Sequence, residues 1–281
     1  MTLDLHLHST VSDGRLSPSE LVRFAHAQGV STMALSDHDS TDGVAEAQRV
    51  SAELQPAIRV VPAIELSTDL PGASIHILGL FLDIHDAAFQ ATVHSFREAR
   101  LARAEQMVEA LSRVGAPISL ERVFEIAGEG SVGRPHVAQA LLEAGHIHTI
   151  DEAFDRFIGR GGPAYFEGFR LEPAEGVRLI HSVGGFASWA HPNELDGRDW
   201  RDFLPAVRAA GIDGLEVYYS KEYGPEVQVQ LLEACIAHDL VPTVGSDFHG
   251  FGTLAAPPGS VGSPPELLER IESRVERLRR A

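Results

Sequence analysis

Strand-like runs alternate with amphipathic helical patterns through most of this 281-residue chain, which leaves few folds open to it. The strand-like runs are LDLHLH, MALSDH, IRVVPAIEL, SIHILGLFL, FASWAHP, GLEVYYS and VPTVGSDFH. Between them, SPSELVRFAHAQG, TDGVAEAQRVSAEL, EPAEGVRLIHSVG, DWRDFLPAVRAAG and GPEVQVQLLEACIAHD read as helices, several closed by glycine. Ser17, Pro18 and Glu20 spell a capping box with proline in the first turn. The pattern predicts an α/β fold with a mostly parallel sheet wrapped by helices, and the length suits an α/β barrel. From about Asp86 to Phe166 only helical patterns appear, among them FQATVHSFREARLARAEQMVEALSRVG and RPHVAQALLEAG. We take 1–98 and 166–281 as the barrel and 99–165 as a helical insertion capping the substrate. The C-terminal PELLERIESRVERLRR reads as a solvated amphipathic helix.

Charge narrows the partners. The 40 acidic residues outnumber the 23 Lys and Arg, for a formal charge of -17, so the overall field repels duplex DNA. An anionic ligand must then be drawn in locally. Cys235 is the only cysteine and cannot close an internal disulfide. The longest apolar stretch, ILGLFLDI, is too short to span a bilayer, which speaks against a membrane partner. The N-terminal MTLDLHLHS has neither the basic region nor the apolar run of a signal peptide, so the expected location is the cytoplasm.

Chemistry concentrates at the strand ends. His6 and His8 alternate with Leu5 and Leu7, so the two imidazoles share a face about 7 Å apart by the strand rise. Asp13 follows five residues on, and Asp37, His38 and Asp39 lie in ALSDHDST. Glu65 ends VVPAIEL, His76 sits in SIHIL, His191 ends ASWAHP, and Asp247 and His249 lie in VGSDFHG. In an α/β barrel, strand ends converge on one mouth. Any one of these side chains alone is more often a satisfied polar residue than a ligand, but their recurrence strand after strand points to a metal centre. Nitrogen and oxygen donors without thiolate suit Zn, Mn, Fe or Co. Their number predicts two or three ions sharing a bridging carboxylate, which suits attack by hydroxide at phosphorus.

Taken in order, these motifs resemble the PHP family, the polymerase and histidinol phosphatase metal-dependent phosphoesterases. The resemblance runs from HLHS to GSDFHG and implies a distorted seven-stranded barrel with up to three divalent ions, Mn2+ first among them. It implies that His6, His8 and Asp247 hold one ion and His76 and His191 a second, with Glu65 bridging. Asp13, His38 and His249 would hold a third ion that grips the substrate phosphate, and Asp247 would accept a proton from the attacking hydroxide. Asp247, His249, His38 and Asp13 are thus the expected catalytic residues. Asp37 and Asp39 are expected to orient imidazoles. SVGRPHVAQAL and FIGRGGPAYF look like segments of enzymes that remove the 3'-phosphate from 3',5'-bisphosphate nucleotides such as pAp.

Phosphate contacts are expected from Lys221, the only lysine, and from Arg134 and Arg160 in the insertion, with Arg103 a weaker candidate. Arg97, Arg100 and Arg103 recur every three residues, and Arg97 and Arg100 are expected on a solvated face. The reading is a phosphomonoesterase converting pAp to AMP and phosphate through a metal-bridging hydroxide. One alternative is a 5'-3' exoribonuclease on short 5'-phosphorylated RNA. Another is a metal-stabilised module that binds nucleotides without turnover.

Overall fold

The computed structural model describes residues 2–128, 130–166, 171–195, 197–219, 223–250 and 256–280. Seven strands, β1 (Leu3–Leu7), β2 (Thr32–Leu35), β3 (Arg59–Leu70), β4 (Ala73–Leu80), β5 (Phe186–Trp189), β6 (Gly214–Tyr218) and β7 (Val241–Val244), lie side by side in chain order. The expected mostly parallel sheet is present with one exception, since β4 runs antiparallel to both β3 and β5. Only Pro71 and Gly72 join β3 to β4, with Gly72 at φ 95°, and two residues allow a hairpin but no crossover. The sheet curls until its ends meet: the Asp247 amide donates to the His6 carbonyl at 3.0 Å, and the His8 amide to the Phe248 carbonyl at 3.1 Å. The fold is an α/β, TIM-like barrel of the expected class.

Helices α1 (Pro18–Ala27), α2 (Val44–Glu53), α7 (Pro173–Ser182), α8 (Leu204–Ala209), α9 (Pro225–His238) and α10 (Leu267–Arg280) are the helices that belong with the strands. The capping box of α1 is formed: Ser17 Oγ accepts from the Glu20 amide, and the Ser17 amide donates to Glu20 Oε2 at 2.9 Å. Helix α10 is amphipathic as expected but not merely solvated. Leu267, Leu268, Ile271 and Val275 are buried against Leu3, Leu80, Phe186 and Val241, because four apolar residues on one stripe lose more by exposure than the arginines lose by staying at the rim.

Between β4 and β5 come α3 (Ala87–Arg113), α4 (Leu120–Ala127), α5 (Arg134–Glu143) and α6 (Ile150–Ala153), the last running into a π-turn over Phe154–Ile158. Helix α3 serves two cores. Its Phe89, Val93 and Phe96 pack with the barrel residues Ile64, Ile75 and Trp189. Its Ala104, Met107 and Leu111 pack instead with Val123, Val137, Leu141 and Ile158. No helix among the described residues is long and apolar enough to cross a membrane.

Candidate metal centre

At the mouth of the barrel polar side chains take the place of apolar filling, above an apolar core that includes Ala63, Leu78 and Phe186. His6, His8, Glu65 and Glu216 are fully buried from three different strands or their ends. On β1, Leu7 packs with Leu21 and Val44 of α1 and α2, as expected between His6 and His8, but Leu3 and Leu5 share an apolar core with Ala63 and Leu78, and the β1–β2 register shifts between Asp4 and Leu7, so the alternation does not run the length of the strand. β4 reverses direction, so its N-terminal half lies at the mouth, where the other strands place their C-terminal ends. That places His76, which stands opposite Ser67 in the β3–β4 ladder, beside Glu65.

The nine expected ligands meet at one place, and Glu65 is its hub. Its Oε2 lies 3.1 Å from His6 Nε2, 3.1 Å from His8 Nε2 and 3.2 Å from His38 Nδ1. Its Oε1 lies 2.9 Å from His76 Nδ1 and 3.0 Å from His191 Nε2. Asp247 Oδ1 approaches His6 Nε2 at 3.3 Å and His8 Nε2 at 3.2 Å. Asp13 forms the outer corner, with Oδ1 3.3 Å from His249 Nε2 and Oδ2 3.9 Å from His38 Nε2. Ligand-type atoms of His6, His8, Glu65 and Asp247 all fall within 4.8 Å of one another, and so do those of His8, Asp13, His38 and His249 and those of His38, Glu65 and His76.

The side chains fit divalent cations. His8 Nε2, Asp13 Oδ1, His38 Nδ1 and Asp247 Oδ1 are buried yet make no aligned hydrogen bond, a cost that a protein tolerates where another group satisfies the atoms. The donors are imidazole and carboxylate, the set preferred by Mn, Zn, Fe and Co. Without an ion, the charges compensate one another. Burial opposes ionisation of His6, but the carboxylates of Glu216, Asp247 and Glu65 outweigh it and hold its pKa well above the imidazole range. Against the same burial, Glu65 raises His191 to about 9, and Asp13 and Asp247 raise His249 to about 10. The surrounding imidazoles hold Asp13, Glu65 and Asp247 well below the carboxylate range despite burial. His38 is the exception: burial prevails over Glu65 and Asp13 and lowers it to about 3, leaving a neutral ring with a lone pair to offer. Backbone strain accompanies the site, since Asp39, His191 and Asp247 adopt positive φ of 51°, 29° and 53°.

Among the described residues neither Asp37 nor Asp39 hydrogen-bonds an imidazole directly; Asp37 reaches His8 only through Ser12, whose Oγ lies 3.4 Å from His8 Nδ1. Asp37 accepts from the Ser9 amide, Ser9 Oγ and Ser12 Oγ, each at 2.7 Å, and so pins the loop that carries Asp13. Asp39 accepts from the Ser67 amide at 2.9 Å and from Arg100 Nε at 2.7 Å. Arg100 is not on the expected solvated face, since it also reaches Ser67 Oγ at 2.8 Å, while Arg97 keeps a surface ion pair with Asp42 at 3.2 Å. The buried carboxylate of Asp39 draws Arg100 inward.

A cleft of about 720 Å³ opens beside the cluster, lined by Asp13, His38 and His76 on one side and by Arg100, Arg103, Arg134 and Arg160 on the other. Arg103 donates to the Phe166 carbonyl at 2.9 Å, and burial together with the Arg134 and Arg100 charges lowers it to about 10. Lys221 lies outside the described residues. Arg198, which lines the same cleft, escaped the sequence reading because nothing around it in DGRDW signals a site. Glu216 escaped it too. A lone acid within the apolar run of GLEVYYS was the available signal for Glu216.

Comparison with known proteins places the chain. A family model described as the PHP domain matches residues 4–160. A 5'-3' exoribonuclease of Haemophilus influenzae is 35% identical over 248 residues, 88% of this chain and 89% of that protein. A 3',5'-nucleoside bisphosphate phosphatase of Chromobacterium violaceum is 31% identical over 277 residues, 98% of this chain and 96% of that one. Among solved structures, a metal-dependent phosphoesterase from Bifidobacterium adolescentis superposes with a TM-score of 0.86 at 30% identity, covering 97% of this chain and 96% of its own. With its imidazole and carboxylate cluster at the mouth of a seven-stranded barrel, the chain belongs to the PHP domain family and is a divalent-metal-binding phosphoesterase.

Proposed function

We propose that the protein removes the 3'-phosphate from 3',5'-bisphosphate nucleotides, converting pAp to AMP and phosphate, with Mn2+ as its working ion. One observation carries this reading: the cleft beside the histidine and carboxylate cluster gathers arginines in a chain whose net charge is -17. Such a cleft suits a small ligand with two anionic ends, and its volume is in the range of small-molecule sites. The phosphatase of Chromobacterium violaceum supports the same substrate.

His6, His8, Glu65, His76, His191, Asp247, Asp13, His38 and His249 would hold the ions. When bound, these supply Lewis-acid polarisation of the scissile phosphoryl group and a water acidic enough to attack it. Around them the chain's own residues divide the work. Asp247, whose Oδ2 already accepts the Tyr219 hydroxyl, keeps Oδ1 for the reacting side and takes the proton of the attacking water. Asp13 and His38 line the cleft where it meets the cluster and, with His249 beside them, fix the phosphoryl end of the substrate. Arg103, Arg134 and Arg160 neutralise the other phosphate and, with Lys221, fix the orientation of the nucleotide.

A second reading rests on the Haemophilus influenzae relative: the same residues would cleave the first diester of a short 5'-phosphorylated RNA. Purified protein with added manganese separates the two. Fast conversion of pAp to AMP with slow attack on a 5'-phosphorylated trinucleotide supports the phosphatase, whereas preferred release of 5'-mononucleotides supports the exonuclease. Turnover of neither contradicts both and leaves a nucleotide-binding module.

A further inference from the structure

Strand β6 and the residue that follows it supply none of the nine expected ligands, yet together they touch three of them. Glu216, fully buried, places Oε1 3.0 Å from His6 Nδ1, the nitrogen opposite the one that faces Glu65 and Asp247. Its Oε2 accepts from the His191 amide at 2.8 Å, at a residue held at the strained φ of 29°. Just beyond the strand, the buried Tyr219 donates its hydroxyl to Asp247 Oδ2 at 2.8 Å. Gly245 makes room for this arrangement, since a Cβ there would overlap both His6 Cβ and the Glu216 carboxylate.

Each contact settles a choice that the ligand cannot make alone. A carboxylate at Nδ1 selects the imidazole tautomer with its proton on that nitrogen, which leaves the Nε2 lone pair of His6 for an ion. The Tyr219 hydroxyl occupies one oxygen of Asp247 and leaves Oδ1, which is buried and has no aligned hydrogen bond, turned toward the cluster. The amide contact holds His191 where its Nε2 reaches Glu65 Oε1 at 3.0 Å.

We infer that Glu216 and Tyr219 are the positioning residues of the metal centre, Glu216 setting His6 and His191 and Tyr219 setting Asp247. The inference rests on the reading of the nine residues as ligands. Glutamine at 216 keeps the volume of glutamate, but its amide NH2 must then face either His6 Nδ1–H or the His191 N–H, both donors. Phenylalanine at 219 keeps the ring, which lies 4.9 Å from that of Tyr223, and loses only the hydroxyl.

The test titrates Mn2+ into metal-stripped protein and follows the free ion by electron paramagnetic resonance, for the parent, Glu216→Gln, Tyr219→Phe and Asp247→Asn. Thermal melting of the stripped proteins checks that each is folded. The expected result is an ion affinity lowered about ten- to a hundred-fold in Glu216→Gln and Tyr219→Phe. On pAp, the same variants should lose kcat with KM changed less than two-fold, and excess Mn2+ should restore part of kcat. If Asp247→Asn loses ion binding while Glu216→Gln and Tyr219→Phe both bind within two-fold of the parent, the positioning role is overturned and the ligand reading stands. If Asp247→Asn also binds as the parent does, the ligand reading itself fails and the inference falls with it. Should Glu216→Gln not fold, Tyr219→Phe decides alone.

Discussion

His6 cannot serve as a ligand on sequence position alone; it needs the right tautomer, a neutral ring and a backbone neighbour small enough to let Glu216 in. Gly245 is that neighbour. Gly245→Ala would drive its methyl group into His6 and the Glu216 carboxylate, so it should destabilise the fold by about 1–3 kcal/mol in denaturant melting and lower the affinity for Mn2+. The same residues set a pH dependence. His6, His191 and His249 keep their protons above the ordinary imidazole range because carboxylates surround them, while ions bind only the neutral rings. Binding must therefore displace protons. Calorimetric titration in buffers of different ionisation enthalpy should show proton release near pH 7, and affinity should rise from about pH 6 to about pH 9. A pH-independent affinity over that range would contradict the charge pairing described for the metal-free cluster.

At the level of elements, the loops after β1 and β2 and the helix α3 decide how the cleft meets the cluster. Asp37 pins the loop after β1 through Ser9 and Ser12, so Asp37→Ala leaves buried donors unpaired and should cost about 2–3 kcal/mol. It should also weaken the part of the site that includes Asp13. Arg134→Ala and Arg160→Ala are expected to raise KM for pAp about ten-fold or more with little change in kcat, the ordinary worth of a charge-assisted contact. Much of this frame was legible: seven strand-like runs, the capping box of α1 and the histidines and carboxylates at strand ends all came from local patterning. The reversal of β4 was less so, although Pro71 and Gly72 announce a turn. The roles of Asp37, Asp39 and Arg100 were not legible, because Asp39 meets Arg100 across 61 residues and only the folded chain fixes which carboxylate faces which arginine. Glu216 illustrates the same limit: its sequence shows an acid in an apolar strand, and its partner lies 210 residues away.

Across the whole molecule, one barrel with a polar mouth carries a cluster that pairs its own charges when metal-free, and a separately cored helical segment brings arginines to its rim. On the proposed reading, ions bound at the cluster would supply reactivity and the arginines the attraction that a chain of charge -17 otherwise lacks. The central claim is that hydrolysis depends on divalent ions held by these nine side chains. The most direct test strips the protein with a chelator, removes the chelator and measures phosphate release from pAp before and after Mn2+ is returned, in the parent and in Asp247→Asn. The expected result is no turnover by the stripped protein, recovery on adding Mn2+ to the parent, and none in Asp247→Asn at any ion concentration. Undiminished turnover after stripping, or full activity of Asp247→Asn, would contradict it.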